Sequence, residues 1–154
     1  RDGTRLIAAG AFEDSEFIEG VYITNSVEIM GGDVFYNCFA LKEVFFQEGS
    51  RLSELKPVTF GQCISLEEIE LPENLKKIQG HVFINCAFKT ITIPENVEYV
   101  DPYAISEYDM LEEIRVPKKL KGEYYFGDTY IIDSEYHPGD KLNKTRKKPD
   151  IVFY

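Results

Sequence analysis

The stretches "IELPENLKKIQG" at residues 69–80 and "ITIPENVEYVDP" at residues 91–102 repeat one phrase, with the apolar letters held and most polar ones changed. A segment copied at near-fixed spacing marks a repeat architecture and restricts the fold more than any other feature of the chain. Aligned on their apolar positions, five units appear. Ile7, Met30, Leu55, Ile78 and Val100, spaced by 23, 25, 23 and 22 residues, stand five places before Phe12, Phe35, Phe60, Phe83 and Ile105. The chain then reaches Val21, Val44, Ile69, Ile91 and Ile114, nine residues on in four units and eight in the fourth. Ile23, Phe46, Leu71, Ile93 and Val116 follow two places later. Val27, Leu52, Leu75, Val97 and Leu120 close each unit four places on, except after Phe46, where Gln47 to Arg51 lengthen the step to six.

Val21-Tyr22-Ile23, Ile69-Glu70-Leu71, Ile91-Thr92-Ile93 and Ile114-Arg115-Val116 alternate apolar, other, apolar, which predicts a short strand with one buried face. Pro72, Pro94 and Pro117 follow at once and end the strand, because proline has no N–H to give to a sheet ladder. One strand every 22 to 25 residues is too sparse for hairpins and too dense for strand-helix-strand units. The spacing therefore predicts a coil that stacks each strand on the last. A single coil buries too little to hold itself, so stacking carries the stability and the ends need caps.

In "VFINCAFKTITIPENVEYV" the order Phe, Cys, apolar, Ile, Ile-Pro and Val-x-x-Val resembles the BspA-like leucine-rich repeat family of bacterial surface proteins. The resemblance covers residues 7–120 and is tightest in units three and four. Ser15 and Tyr108 replace the cysteine in units one and five, and unit two lacks the proline. The resemblance implies a right-handed leucine-rich-repeat solenoid, mainly β with short helical or 3-10 turns. It also implies a secreted or cell-surface protein that binds other proteins, host matrix or plasma proteins among them. The expected division is a solenoid of about five repeats over 1–120, in register over 7–120, and a C-terminal cap or tail over 121–154.

The chain has one domain's length, and 44% hydrophobic with 29% charged residues describes a globular chain rather than a disordered one. No apolar run approaches a membrane span. It opens Arg-Asp-Gly without methionine or apolar leader, so it reads as part of a longer product whose signal peptide or anchor lies elsewhere. Of the net charge of −10, the tail contributes nothing: residues 121–154 hold six basic and six acidic side chains. The acidic repeats repel nucleic acid and anionic membranes and favour basic partners. The basic run Lys144, Arg146, Lys147, Lys148 reads as a solvated tail, and Asn143-Lys144-Thr145 fits a glycosylation acceptor triplet only in a secreted eukaryotic context.

Cys38, Cys63 and Cys86 recur at one position of successive units, unlike the close pairs of zinc sites. They read as small buried hydrophobes filling a corner of the coil. The strand spacing also leaves a Cys38–Cys63 or Cys63–Cys86 disulfide open. His81 and His137 lie far apart, and His81 is expected in a solvent-facing loop. No nucleophile-elbow, zincin, Walker-type or dinucleotide motif occurs, so no enzyme activity, cofactor or metal is expected.

If the apolar letters point inward, the alternate letters form outward ladders: Tyr22, Phe45, Glu70, Thr92, Arg115, and beside it Gly20, Glu43, Glu68, Thr90, Glu113. This face is the candidate protein-binding surface, because exposed aromatics on a sheet are enriched at interfaces. Cross-strand packing of Tyr22 on Phe45 is the equally weighted structural explanation. The aromatic residues after 121 read as a cap on the last coil, or as a linker to a further domain. The expected function is non-enzymatic protein binding by a surface or secreted bacterial protein, adhesin-like, with no membrane insertion by this segment. A structural spacer in a larger surface protein and an intracellular interaction module are the alternatives, and sugar binding by the aromatics stays open.

Overall fold

The computed structural model describes residues 3–108, 110–120 and 149–154. The expected coil is there, and its strands are parallel. In chain order they are β1 (Leu6–Ile7), β2 (Gly20–Ile23), β3 (Ile29–Met30), β4 (Glu43–Phe46), β5 (Glu54–Leu55), β6 (Glu68–Ile69), β7 (Lys77–Ile78), β8 (Thr90–Thr92), β9 (Tyr99–Val100), β10 (Glu113–Val116) and β11 (Asp150–Phe153). A 3-10 turn follows β10 at Lys118–Leu120. One column contains the expected strands, β2-β4-β6 and then β8-β10-β11; the other contains β1-β3 and then β5-β7-β9. The structure thus adds to the one strand per repeat a second, two residues long, at the anchors Ile7 to Val100. Two residues are too few to show alternation, which is why the sequence pattern marks these positions only as apolar.

The two interruptions of the columns coincide with the two irregular unit lengths. β3 and β5 do not pair, and the longer step through Gln47 to Arg51 lies just before β5. β6 and β8 do not pair, and the coil that omits one residue between Cys86 and Ile91 leads into β8. The turn that coil three makes at Ile64–Ser65 has no counterpart in coil four. Ala87 N–H instead donates to Leu66 O of the coil before (3.0 Å), and the Phe88 ring fills the corner edge-on to Phe83.

Inside the coil, Phe12, Phe35, Phe60 and Phe83 form one stack, with centroids 5.3, 5.5 and 5.9 Å apart and planes parallel within 4°. This offset geometry suits the ring quadrupole. Phe35, Phe60 and Phe83 are buried, so truncating one to alanine costs about 3–5 kcal/mol. Beside the stack lie the thiols. Cys38, Cys63 and Cys86 are buried and free, and each donates from Sγ to the carbonyl of the phenylalanine one coil earlier, Phe12, Phe35 and Phe60, at 3.1 to 3.2 Å. The disulfide alternatives are not formed.

The residue before each cysteine position is left-handed: Asp14, Asn37, Gln62, Asn85 and Glu107 have φ between 53° and 61°. This conformation turns the N–H of the first four toward the next coil, where it donates to Tyr36, Gly61, Ile84 and Ser106 carbonyls. Asn and Asp tolerate it best. Side chains extend the same ladder, Asn37 Nδ2 to Asp14 Oδ1 and Asn85 Nδ2 to Gln62 Oε1, both 2.8 Å. The asparagine of the repeated Pro-Glu-Asn phrase has a comparable task. Asn74 and Asn96 donate to the carbonyls of Ser50 (2.9 Å) and Glu73 (3.0 Å) in the preceding coil.

His81 departs from expectation. It is half-buried at φ 57°, stacked on Tyr103, with Nδ1 3.4 Å from Ser106 Oγ. At the C-terminus, β11 pairs with β10 in register, Glu113 to Asp150 through Val116 to Phe153, and Tyr154 Oη donates to Ile93 O at 2.6 Å. The rest of the expected cap, its aromatic residues, His137, the basic run and the glycosylation triplet lie outside the described residues. Among the described residues no helix is long and apolar enough to cross a membrane.

Candidate functional site

The outward ladders exist as geometry. Gly20, Glu43 and Glu68 are successive register partners, Tyr22 pairs with Phe45, Thr90 pairs with Glu113, and Thr92 with Arg115. The ladder through Glu68 is cut between β6 and β8, whereas in the other ladder Glu70 lies just past the end of β6 without a strand register partner, between the pairs Tyr22–Phe45 and Thr92–Arg115. At the cut lies a groove of about 1010 Å³, lined from one side by Glu43, Phe45, Glu68 and Glu70 and from the other by Thr90 and Thr92. Six of the nine sequence-derived candidates therefore meet in one depression. Tyr22, Glu113 and Arg115 stand outside its lining.

The charges differ across the face. Arg115 Nε donates to Glu113 Oε1 at 2.5 Å, and that hydrogen bond raises the guanidinium pKa. Lys42 lines the groove, but its Nζ is held by Glu19 Oε2 at 2.9 Å, and this contact raises its pKa while lowering that of Glu19. Glu43, Glu67, Glu68 and Glu70 are exposed and form no ion pair among the described residues. The groove is thus lined by carboxylates and one ammonium, that of Lys42, which Glu19 already holds.

Tyr22 and Phe45 remain 63% and 55% exposed although they are register partners, so most of both rings faces water. Further exposed apolar side chains include Phe17 (90%), Phe39 and Ile64, one in each of the first three coils, the last in the groove lining. Sequence reasoning missed these three. The available signal is positional: Phe39 and Ile64 each follow an inward cysteine and precede an inward Leu41 or Leu66, so they must point out. Large exposed apolar patches are enriched at interaction sites, and of these side chains Phe45 and Ile64 share the groove lining. Among the described residues, no three His, Cys, Asp or Glu side chains converge as metal ligands.

Solved structures share this architecture. A leucine-rich repeat protein from Bacteroides ovatus ATCC 8483 is 27% identical with a TM-score of 0.60, over 73% of this chain and 35% of its own. The leucine-rich repeat protein of T. pallidum is 25% identical with a TM-score of 0.64, over 75% and 55%. One from Eubacterium ventriosum ATCC 27560 is 27% identical with a TM-score of 0.50, over 66% and 33%. The chain thus spans between about a third and just over half of these proteins. No curated protein matches it. The family described as BspA type leucine rich repeat region (6 copies) matches residues 49–144, and with most of its length so matched the chain belongs to the BspA type leucine-rich repeat family.

Proposed function

We propose that this chain is a non-enzymatic protein-binding module of a surface or secreted bacterial protein, and that its site is the sheet face around the groove. The observation that supports this most is the exposure of Tyr22 and Phe45 on β2 and β4, strands whose backbone is fixed by the stacked coils, with Phe17, Phe39 and Ile64 exposed in the turns that precede β2, β4 and β6. A rigid sheet presents such side chains without the ordering entropy that a loop gives up on binding. The bacterial leucine-rich repeat family supports the cell-surface setting, and a host matrix or plasma protein is the partner class that fits an adhesin-like role. The test is a binding screen of the folded protein against matrix and plasma proteins, repeated with Tyr22→Ala/Phe45→Ala. Saturable binding that the double variant loses supports the module and its site. A folded protein that binds no panel member favours the spacer role, in which the two rings serve only to pack strands.

A further inference from the structure

Resting on that protein-binding function, we propose that the groove between β6 and β8 takes an extended basic segment of its partner, with lysine or arginine at alternate positions and one apolar side chain near Phe45 and Ile64. Three features of the site select this occupant. First, the carboxylates are spaced for it. Glu68 on β6 and Glu70, the residue just past its end, lie two residues apart, a step that in extended chain spans about 6.6 Å and equals the repeat of side chains along one face of an extended peptide. Glu43 lies beside Glu68 as its register partner, on a strand about 4.8 Å away. Second, the cation within the lining is already engaged. Lys42 is held by Glu19 and Arg115, outside the lining, by Glu113, while Lys89, just outside the lining before Thr90, is one charge against four exposed glutamates, Glu43, Glu67, Glu68 and Glu70, that line the groove. Third, the lining offers exposed apolar side chains, Phe45 on β4 and Ile64 in the turn before β6, as a seat for an apolar residue of the segment.

Charge of this kind chiefly sets encounter rate and partner choice, and salt weakens it. An anionic partner is disfavoured by the same carboxylates.

The probe is a short fluorescent peptide alternating lysine and threonine around one central tyrosine, compared with its glutamate-threonine counterpart by anisotropy at low and high salt. The expected result is binding of the lysine peptide at least about tenfold tighter than the glutamate peptide, weakening with salt. Glu68→Gln/Glu70→Gln is expected to lower that affinity about tenfold, as the loss of two charge contacts implies. Glu73→Gln/Glu95→Gln removes the same charge at exposed positions outside the groove lining and is expected to leave affinity nearly unchanged. Equal binding of both peptides, or equal losses in the two double variants, overturns the basic-segment assignment. If a matrix or plasma protein found in the screen is lost with Tyr22→Ala/Phe45→Ala but unaffected by Glu68→Gln/Glu70→Gln, the assignment fails while protein binding stands.

Discussion

Val58 is the β-branched member of the described residues held at positive φ (59°), and its counterparts in the other coils are Gly10, Asp33 and His81. A β-branched side chain there is strained. Val58→Asn is expected to raise the unfolding free energy by about 1 kcal/mol. Urea denaturation checks it, and a lower midpoint would mean that the packing of the Val58 methyl against Gly61 outweighs the strain. The thiols lend themselves to a second prediction. Burial pushes Cys38, Cys63 and Cys86 above the ordinary thiol pKa, with the neighbouring Cys38 and Cys63 adding to the effect at Cys63 and Cys86. The native protein should therefore resist a thiol reagent at mildly alkaline pH and react at all three cysteines once denatured. The unfolded chain releases these protons first, so this contribution is present below the ordinary thiol pKa and is lost as pH rises through it toward the raised native values. A thiol that reacts at its unfolded rate in the native protein would show that its corner of the coil is open. The apolar identity of these cysteines was legible in their recurrence. The left-handed residue before each was not, because Asp, Asn, Gln and Glu at that position look like solvent-facing variation.

At the scale of elements, Glu28 joins what the sheets do not. Its carboxylate takes Arg5 Nη2 at 2.6 Å and Arg51 Nη1 at 3.1 Å, and the second contact crosses the gap between β3 and β5. Arg51 belongs to the longer step, so the residues that interrupt the ladder also supply a link across it. The hydrogen bonds from Arg5 and then Arg51 hold Glu28 below the usual carboxylate range. A depressed carboxylate stabilises above its unfolded pKa and loses that contribution as pH falls through the folded value. Glu28→Gln is therefore expected to be less stable than the parent at neutral pH, with the gap closing below the ordinary carboxylate pKa; melts at several pH values check this. A gap independent of pH would assign the effect to shape rather than charge. The main strand column was legible because its residues alternate and meet proline. The second column was not, its strands being two residues long, and neither was the cross-coil bonding of Asn74 and Asn96, since one chain read linearly does not reveal what lies above it.

The whole molecule is a stack in which each coil is buried by its neighbours, so position along the axis governs local stability. Ile7, Ile18 and Val21 of the first coil are only half-buried and Phe12 is exposed, whereas Phe35, Phe60 and Phe83 are buried. Hydrogen exchange should accordingly be faster in β2 than in β7 or β8, and the reverse order would mean that the first coil is held by more than its contact with the second. The candidate face was legible as two ladders, since register follows once strands stack. The groove that divides them was not, because it depends on how two sheets part. Coil four omits a residue, and there the two ladders separate. Information about this depression therefore resides in a count rather than in any letter. Adding one residue between Cys86 and Ile91 would leave every lining side chain present while restoring the nine-residue step of the other coils, so an inheritance that preserves each amino acid but not the tally is expected to reshape the depression.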